Sequence, residues 1–145
     1  MIVNKWAKSE YSISDTYVAG VMLTGAEVKS LREERGSLRE GYAKMIGGEL
    51  FLVGADIPRY SHYSGKEYDA KRSRKLLLKR SEMLKIQKQI EGKNMTLIPL
   101  KLFFNGRWAK CEIGVGKGKR EWEKRADIKA RDIKRDLAKA VKNTV

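Results

Sequence analysis

The chain has 145 residues, of which 32 are Lys or Arg and 18 are Asp or Glu, while Cys and His occur once each. This length fits one domain with an attached segment, and a single Cys and His exclude an internal disulfide and the usual Cys/His zinc site. The longest apolar stretch is about half of the ~20 residues that a membrane-spanning helix needs, and the first residues lack the apolar region of a signal peptide, so we expect a cytoplasmic protein without membrane attachment.

The first predicted elements are a long strand and a helix. Residues 10–23 have strand composition with partial alternation, and we expect one long strand that bends at Gly20. Thr24 follows as a helix cap, with Glu27 three residues later as in a capping box. The helix should end close to Gly36.

Two short strands are predicted next, over residues 41–46 and 49–57. Gly47-Gly48 joins them, because glycine enters a tight hairpin turn without steric cost. Pro58 ends the second strand, and a polar loop follows over residues 59–70. This part of the chain therefore predicts a β-hairpin followed by a loop.

A helical pattern is predicted to begin at Lys71 and to include the three leucines at 76–78. It continues as a helix over about 82–91, with Ser81 and Gly92 as its caps. We therefore expect residues 71–91 to be mainly helical.

The strongest local signal is a second hairpin, with strands over 96–104 and 107–115 that turn at Asn105-Gly106. The second strand alternates, with one face holding Trp108, Lys110 and Glu112 and the other Ala109, Cys111, Ile113 and Val115. Pro99 has no amide hydrogen to donate, so it should lie at a sheet edge or a bulge.

Together these elements predict a mainly β protein with accompanying helices, built as an oligonucleotide-binding-type antiparallel β-barrel. The glycines at 114, 116 and 118 predict a flexible exit from the barrel. Residues 117–145 carry 11 Lys/Arg and 5 Asp/Glu with a thin apolar stripe, which favours a helix that needs a partner to become stable. We therefore divide the chain into a β-barrel RNA-binding domain over 1–116 and a basic C-terminal tail over 117–145.

The charge is distributed very unevenly along the chain. Residues 1–70 contain 9 Lys/Arg and 10 Asp/Glu, whereas residues 71–145 contain 23 and 8. Such an asymmetry is typical of proteins that bind a polyanion through counterion release. Nucleic acid is favoured over a lipid surface, because the basic segment lacks the bulky apolar face of a membrane-binding helix.

Two motifs raise the question of catalysis. Residues 114–119 resemble a phosphate-binding loop, but the Walker spacing fails and no Ser/Thr follows Lys119. Glu27-Val28-Lys29 matches the Glu-x-Lys half of a metal-dependent nuclease site, in which the carboxylate holds Mg²⁺ and the lysine helps to activate water. A Mg-dependent nuclease using Glu27 and Lys29 therefore remains an alternative, beside a generic barrel-fold RNA-binding or ribosomal protein.

Two dense basic clusters, 71–75 and 117–125, indicate contacts with RNA phosphates. The second cluster surrounds Trp122 with cations, an arrangement that suits stacking on an unpaired base. The alternative for Trp122 is that it packs the tail onto the barrel.

Three segments resemble the blocks of the SsrA-binding protein (small protein B) family, in the same order and spacing from about Asn4 to Lys142. They are Gly20–Arg32 (GVMLTGAEVKSLR), Arg72–Leu78 (RSRKLLL) and Gly114–Lys129 (GVGKGKREWEKRADIK). The resemblance implies an oligonucleotide-binding-type barrel with a basic tail. It also implies a non-enzymatic adaptor of trans-translation, which binds the tRNA-like part of transfer-messenger RNA and brings it to the A site of stalled ribosomes.

The resemblance further implies two sets of functional residues and no cofactor, metal or catalytic residue. The RNA-binding set is Asn4, Glu27, Lys29, Arg72, Arg74 and Lys75. The set for the decoding centre and the empty mRNA channel, where the tail becomes helical, is Lys117, Lys119, Arg120, Trp122, Lys124, Arg125, Lys129 and Arg131. Implied partners are transfer-messenger RNA, the small ribosomal subunit and, in the aminoacylated complex, elongation factor Tu, with the protein itself a monomer.

The chain departs from the family pattern at several positions. Glu34 stands where a Gly is usual after Ser-Leu-Arg, and Ala70 replaces a common Pro. In the tail, Arg120 and Glu123 replace Lys and Asp, and Trp122 stands where His or Tyr is usual.

Overall fold

The structure, a computed structural model, describes residues 1–61 and 67–118. Within these ranges it contains seven strands and three helices. In chain order they are β1 (Ile2–Val3), α1 (Ala7–Glu10), β2 (Tyr11–Val21), α2 (Gly25–Arg32), β3 (Tyr42–Ile46), β4 (Glu49–Val53), β5 (Arg74–Leu77), α3 (Arg80–Ile90), β6 (Thr96–Asn105) and β7 (Trp108–Gly118).

The strands form one antiparallel sheet that closes on itself. The order is β1-β6-β3-β4-β5-β2-β7, and β6 also pairs with β7, so six strands make a ring while β1 lies outside it on β6. Closure leaves the long strands β2, β6 and β7 with partners on both sides, which protects their backbone groups from unwanted pairing. The expectation of a mainly β barrel with helices is confirmed, and its oligonucleotide-binding type stays a prediction.

The core lies inside the ring and follows the alternation of the strands. On β7, Cys111, Ile113 and Val115 are fully buried, which confirms the face assigned from the sequence. Burial raises the pKa of the Cys111 thiol to about 12, so this cysteine behaves as a small apolar side chain. On β6, Pro99 lies next to a register shift, so it occupies a bulge within the sheet and not an edge.

The two predicted hairpin turns are confirmed. Gly47, Gly48 and Gly106 all have positive φ angles, of 59°, 81° and 63°. The strand before the first turn begins at Tyr42. The strand after it ends at Val53, four residues before the predicted end, because Gly54 follows with a φ of 77° and only an isolated bridge at Asp56 continues the pairing.

The prediction of helix for residues 71–78 is wrong. Arg74–Leu77 form strand β5, paired with β4 on one side and β2 on the other. The run of leucines is compatible with a helix or a strand. It forms a strand because the segment pairs with β4 on one side and β2 on the other. The helix that follows begins at Arg80, where the Lys79 amide donates to the Glu82 carboxylate. β1 and α1 are short elements that the sequence reading missed.

The predicted flexible exit at the barrel's end is also wrong for the glycines at 114 and 116. Strand β7 continues to Gly118, paired with β2 as far as Tyr11. A Cβ built on Gly116 would lie 2.5 Å from the Ser12 carbonyl oxygen, and one on Gly114 would lie 3.0 Å from Ile13 Cγ2. These two glycines therefore allow β2 and β7 to approach closely.

Helix α2 ends in a Schellman motif with an unusual residue. The amide of Glu34 donates to the Leu31 carbonyl and that of Arg35 to the Ser30 carbonyl. Glu34 itself has a φ of 58°, the left-handed conformation that favours glycine. The helix therefore ends at Arg32, before the predicted end close to Gly36, because Glu34 takes the left-handed position that was expected of the glycine.

Candidate nucleic-acid interface

The first turn of α2 holds the best-defined polar cluster of the described chain. The Thr24 hydroxyl accepts a hydrogen bond from the Glu27 amide at 3.3 Å, and the Glu27 carboxylate accepts one from the Thr24 amide at 2.9 Å. This is the predicted capping box. It fixes the Glu27 side chain against the sheet, where the exposed fraction of the residue is 1%.

Two arginines from the segment of β5 complete what we call the Glu27 cluster, which consists of Glu27, Arg72 and Arg74. Arg74 Nε donates to Glu27 Oε2 at 2.6 Å, and Arg72 Nη2 donates to Oε1 at 2.7 Å. Arg74 is fully buried, and its two remaining nitrogens donate to the carbonyls of Ala55 and Ala70, each at 2.9 Å. The planar guanidinium directs its three nitrogens to three separate acceptors, whereas a lysine has a single nitrogen and could not reach all of them.

The cluster keeps Glu27 ionised. Burial opposes the charged form, but the hydrogen bonds from Arg72 and the Thr24 amide, together with the charge of Arg74, outweigh it and hold the pKa of the Glu27 carboxyl below its ordinary value. Because the carboxylate is buried and both of its oxygens accept hydrogen bonds from nitrogen donors, it offers no solvent-facing oxygen to Mg²⁺. Lys29 lies elsewhere, with its Nζ 5.6 Å from the centre of the Tyr60 ring. The Glu27/Lys29 nuclease alternative therefore lacks its ligand.

Burial also changes the role of two predicted RNA-binding residues. Neither the Glu27 carboxylate nor the Arg74 guanidinium is accessible to solvent, so direct contact with an RNA is not available to them in this structure. Arg72 is half-buried and has one edge outward, with an exposed side-chain fraction of 42%. The cluster therefore holds Arg72 in place and joins α2 to β5.

The other predicted RNA-binding residues lie apart from this cluster. The Asn4 amide nitrogen donates to the carbonyls of Pro99 at 3.0 Å and Leu38 at 3.4 Å, so it ties the N-terminal segment to β6. Lys75 pairs with Glu49 at 3.1 Å on the surface of the β4–β5 ladder. The structure thus brings together Glu27, Arg72 and Arg74 and distributes the rest over the barrel.

A cleft of about 270 Å³ beside the first turn of α2 does not suit a polyanion. It is lined in part by Arg72, but Glu67 and Asp69 lie on it as well. Carboxylates at this density oppose the approach of phosphates. The interior of this cleft is therefore a poor site for the phosphates of a nucleic acid.

Among the predicted ribosome-contacting residues, Lys117 is described and lies exposed at the end of β7, where it pairs with Ser12. The remaining seven lie outside the described residues. They are Lys119, Arg120, Trp122, Lys124, Arg125, Lys129 and Arg131.

A groove that the sequence reading did not single out crosses the outer face of the barrel. It has a volume of about 480 Å³ and is lined by apolar residues of β2 and β5 and by the start of β7. Trp108 stands at its edge with an exposed fraction of 69%. We call it the Trp108 groove, and the alternation of β7, which puts Trp108 and Lys110 opposite the buried residues, was the signal that could have revealed it.

No helix among the described residues is both long enough and apolar enough to span a bilayer. The described ranges likewise contain no group of three or more His, Cys, Asp or Glu side chains placed to hold a metal ion.

Comparison with known proteins shows similarity along almost the whole chain. The family described as SmpB protein matches residues 1–143. An SsrA-binding protein of Novosphingobium aromaticivorans is 46% identical over 141 residues, which cover 97% of this chain and 88% of the relative. One of Salinispora arenicola is 45% identical over 137 residues, which cover 94% and 86%. A solved structure described as "tmRNA-SmpB: a journey to the center of the bacterial ribosome" has a TM-score of 0.69 and 39% identity, and covers 82% of this chain and 84% of its own.

Proposed function

Because the chain belongs to the SmpB protein family, we propose that it is an RNA-binding adaptor of trans-translation. It binds the tRNA-like domain of transfer-messenger RNA and delivers that RNA to the A site of stalled ribosomes, without chemistry of its own. The observation that carries this proposal is the family match over residues 1–143. It is supported by a 39% identical structure whose description names tmRNA-SmpB and the bacterial ribosome.

The charge distribution supports the same function. The formal net charge is +14, and residues 71–145 hold 23 of the 32 Lys/Arg. A protein that must contact both a transfer-messenger RNA and ribosomal RNA gains affinity by releasing the counterions of both. We therefore expect RNA affinity to fall steeply as the salt concentration rises.

The two parts of the chain have different tasks in this proposal. The closed barrel binds the RNA, and the basic tail enters the decoding centre and the vacant mRNA channel, where it becomes helical. The binding domain is residues 1–116 and the tail that probes the channel is residues 117–145, whose first two residues still belong to strand β7. A cationic segment can test for the absence of message by occupying the same negatively charged space.

Within the barrel, the predicted RNA-binding residues divide into contacting and positioning residues. Arg72, Lys29 and Lys75 have exposed charge to offer to phosphates. Glu27, Arg74 and Asn4 act through the backbone and side chains that they hold. The adaptor acts as a monomer in the cytoplasm, where the ribosome is, and engages elongation factor Tu through the aminoacylated RNA.

Deletion of the tail tests the division of labour. A variant ending at Gly118 keeps every described strand, so it should retain affinity for the tRNA-like domain while losing the tagging of stalled nascent chains. Gel-shift titrations measure the first quantity and a reconstituted tagging reaction the second. A folded variant that no longer binds the RNA would overturn the assignment of binding to the barrel.

A single substitution in the tail tests whether the tail contacts the ribosome and not the transfer-messenger RNA. Trp122→Ala should impair engagement of the ribosome and leave the affinity for transfer-messenger RNA nearly unchanged, because the tail is assigned to the decoding centre. A large loss of RNA affinity would instead move Trp122 to the RNA-binding surface. Cleavage of structured RNA in Mg²⁺ that Glu27→Gln abolishes would refute the adaptor altogether.

A further inference from the structure

The Trp108 groove is formed where three strands cross the outer surface of the barrel. Gly20 on β2 has Leu77 of β5 as its ladder partner on one side and Lys110 of β7 on the other. Because Gly20 has no side chain, the space between these two neighbours stays open. The missing side chain therefore creates the floor of the groove.

The walls of the groove are unusually apolar for a protein surface. Met22 has an exposed fraction of 53%, Leu77 of 49% and Trp108 of 69%. These three side chains line a single depression of about 480 Å³. Large apolar side chains that are exposed together mark a surface that is covered in the working state of a protein.

The rim of the groove is positively charged. Arg107 and Lys110 line it, and none of the described residues that line it carries a carboxylate. Glu112, two residues beyond Lys110 on the same face of β7, is paired with Lys101 at 3.2 Å. Arg32 stacks on the Phe104 ring at 4.3 Å and donates to the Gly106 carbonyl at 3.4 Å, which places another cation beside Arg107.

Arg107 and Lys110 form no ion pair with a carboxylate of residues 1–61 or 67–118, and an exposed indole beside two such cations suits one kind of ligand in particular. A nucleotide has a flat aromatic base that stacks on the indole, and a phosphate on either side that the cations attract. An apolar protein segment would cover Met22 and Leu77 but would leave Arg107 and Lys110 without partners. The charge complementarity therefore favours RNA as the occupant.

We propose that an unpaired base of the bound RNA stacks on Trp108 in this groove, while Arg107 and Lys110 contact the flanking phosphates. The proposal rests on the RNA-binding function proposed above and assigns it a surface. Arg72 connects the groove to the Glu27 cluster, since its Nη2 donates to the Met22 carbonyl at 3.4 Å. This hydrogen bond places Arg72 next to the groove without making it part of the lining.

Gly20 offers a way to close the groove without removing any of its contacts. A Cβ at this position would meet nothing nearer than Leu77 Cβ at 3.5 Å, an ordinary packing distance. Valine is also well suited to a strand. Gly20→Val should therefore fold and fill the floor on which the base would lie.

The test is the affinity of full-length variants for the tRNA-like domain of transfer-messenger RNA at one fixed salt concentration. Trp108→Ala should bind about 5- to 150-fold more weakly, the usual range for losing one base–aromatic stack. Trp108→Phe should recover much of that loss, and Gly20→Val should weaken binding in the same direction. Tyr42→Ala is the matched control, because Tyr42 is an aromatic residue on β3 with an exposed fraction of 45%.

A second readout identifies the contact itself. In a Trp6→Phe, Trp122→Phe background, Trp108 is the single tryptophan, and stacking of a base should quench its fluorescence as the RNA is added. If the wild type binds the RNA but Trp108→Ala binds within twofold of it, the groove is not the stacking site, although the adaptor function stands. If the wild type does not bind this RNA, the adaptor function and the groove assignment both fail. Quenching by an apolar peptide in place of RNA would assign the groove to a protein partner.

Discussion

The Glu27 cluster and the Trp108 groove meet at Met22. In both regions the burial of the side chains is the reverse of what their residue types predict. The cluster has the charged residues of two sequence motifs, and Glu27 and Arg74 within it are buried. The groove has the apolar residues of three strands, and they are exposed. A buried charge must be matched by hydrogen bonds and counter-charge, as it is for Glu27 and Arg74, whereas an exposed indole has no such requirement and is free to bind. The Glu27 cluster therefore contributes to the stability of the fold, whereas the Trp108 groove is the region proposed to bind RNA.

The largest effect is expected from breaking the buried ion pair. Glu27→Ala leaves the Arg74 guanidinium buried without its counter-charge, so the free energy of unfolding should fall by about 3–5 kcal/mol. Chemical denaturation measures this value. Lys75→Ala is the control, because Lys75 pairs with Glu49 at the surface and its loss should cost at most about 1 kcal/mol. Equal costs for the two variants would show that burial of the Glu27–Arg74 pair adds nothing to its contribution to stability.

Trp108→Ala should show the opposite pattern. Because the indole is exposed, the free energy of unfolding should change by no more than about 0.5 kcal/mol. RNA affinity should nevertheless fall as described above. Thermal melting beside the binding titration checks both numbers, and a variant that is strongly destabilised would show that Trp108 belongs to the core.

Acid should weaken the cluster and leave the groove unaffected. Since the pKa of Glu27 is lowered in the folded protein, its contribution is fully present above the ordinary value of 4.5 and is lost as the pH falls through the lower, folded value. Glu27→Gln should lack this part of the pH dependence. Unfolding free energies measured between pH 7 and 3 test it. Parallel curves for wild type and variant would mean that Glu27 does not carry the effect.

The smallest effect is expected at Glu34, which lies outside both regions and serves as a reference for the size of the other effects. Glu34 has a left-handed conformation in which a Cβ is unfavourable, so Glu34→Gly should raise the free energy of unfolding by up to about 1 kcal/mol. Its exposed ion pair with the N-terminus adds little to compensate. Glu33→Gly, one residue earlier with a φ of −84°, should destabilise instead. A gain in both variants would show that the left-handed conformation of Glu34 is not the cause of the stabilisation.

What could be predicted from the sequence depended on the range of the interactions. The turns at Gly47-Gly48 and Asn105-Gly106 and the capping box at Thr24 and Glu27 are local, and they were predicted correctly. The leucines at 76–78 were assigned to a helix because nothing local shows that β4 and β2 leave a place for Arg74–Leu77 between them. Gly116 was read as an exit because its close approach to Ser12 involves a residue more than a hundred positions away.

The site was less predictable than the fold, for the same reason. The motif marked Glu27, Arg72 and Arg74 as important, but only the packing of α2 on β5 shows that two of the three face inward. The groove depends on a missing side chain at Gly20, which reads in the sequence as a bend. A residue type indicates what chemistry is possible, and burial decides whether a partner can reach it.

The pairing of β1 with β6, and of β2 with β7, affects how this protein folds during its synthesis. Strand β1 (Ile2–Val3) pairs with Lys101 and Leu102, which are synthesised about a hundred residues later, and Tyr11 likewise pairs with Gly118. At about 5–20 residues per second, the early strands spend several seconds without their partners. Closure of the barrel therefore requires synthesis of the chain as far as Gly118, so a copy truncated before the end of β7 cannot close.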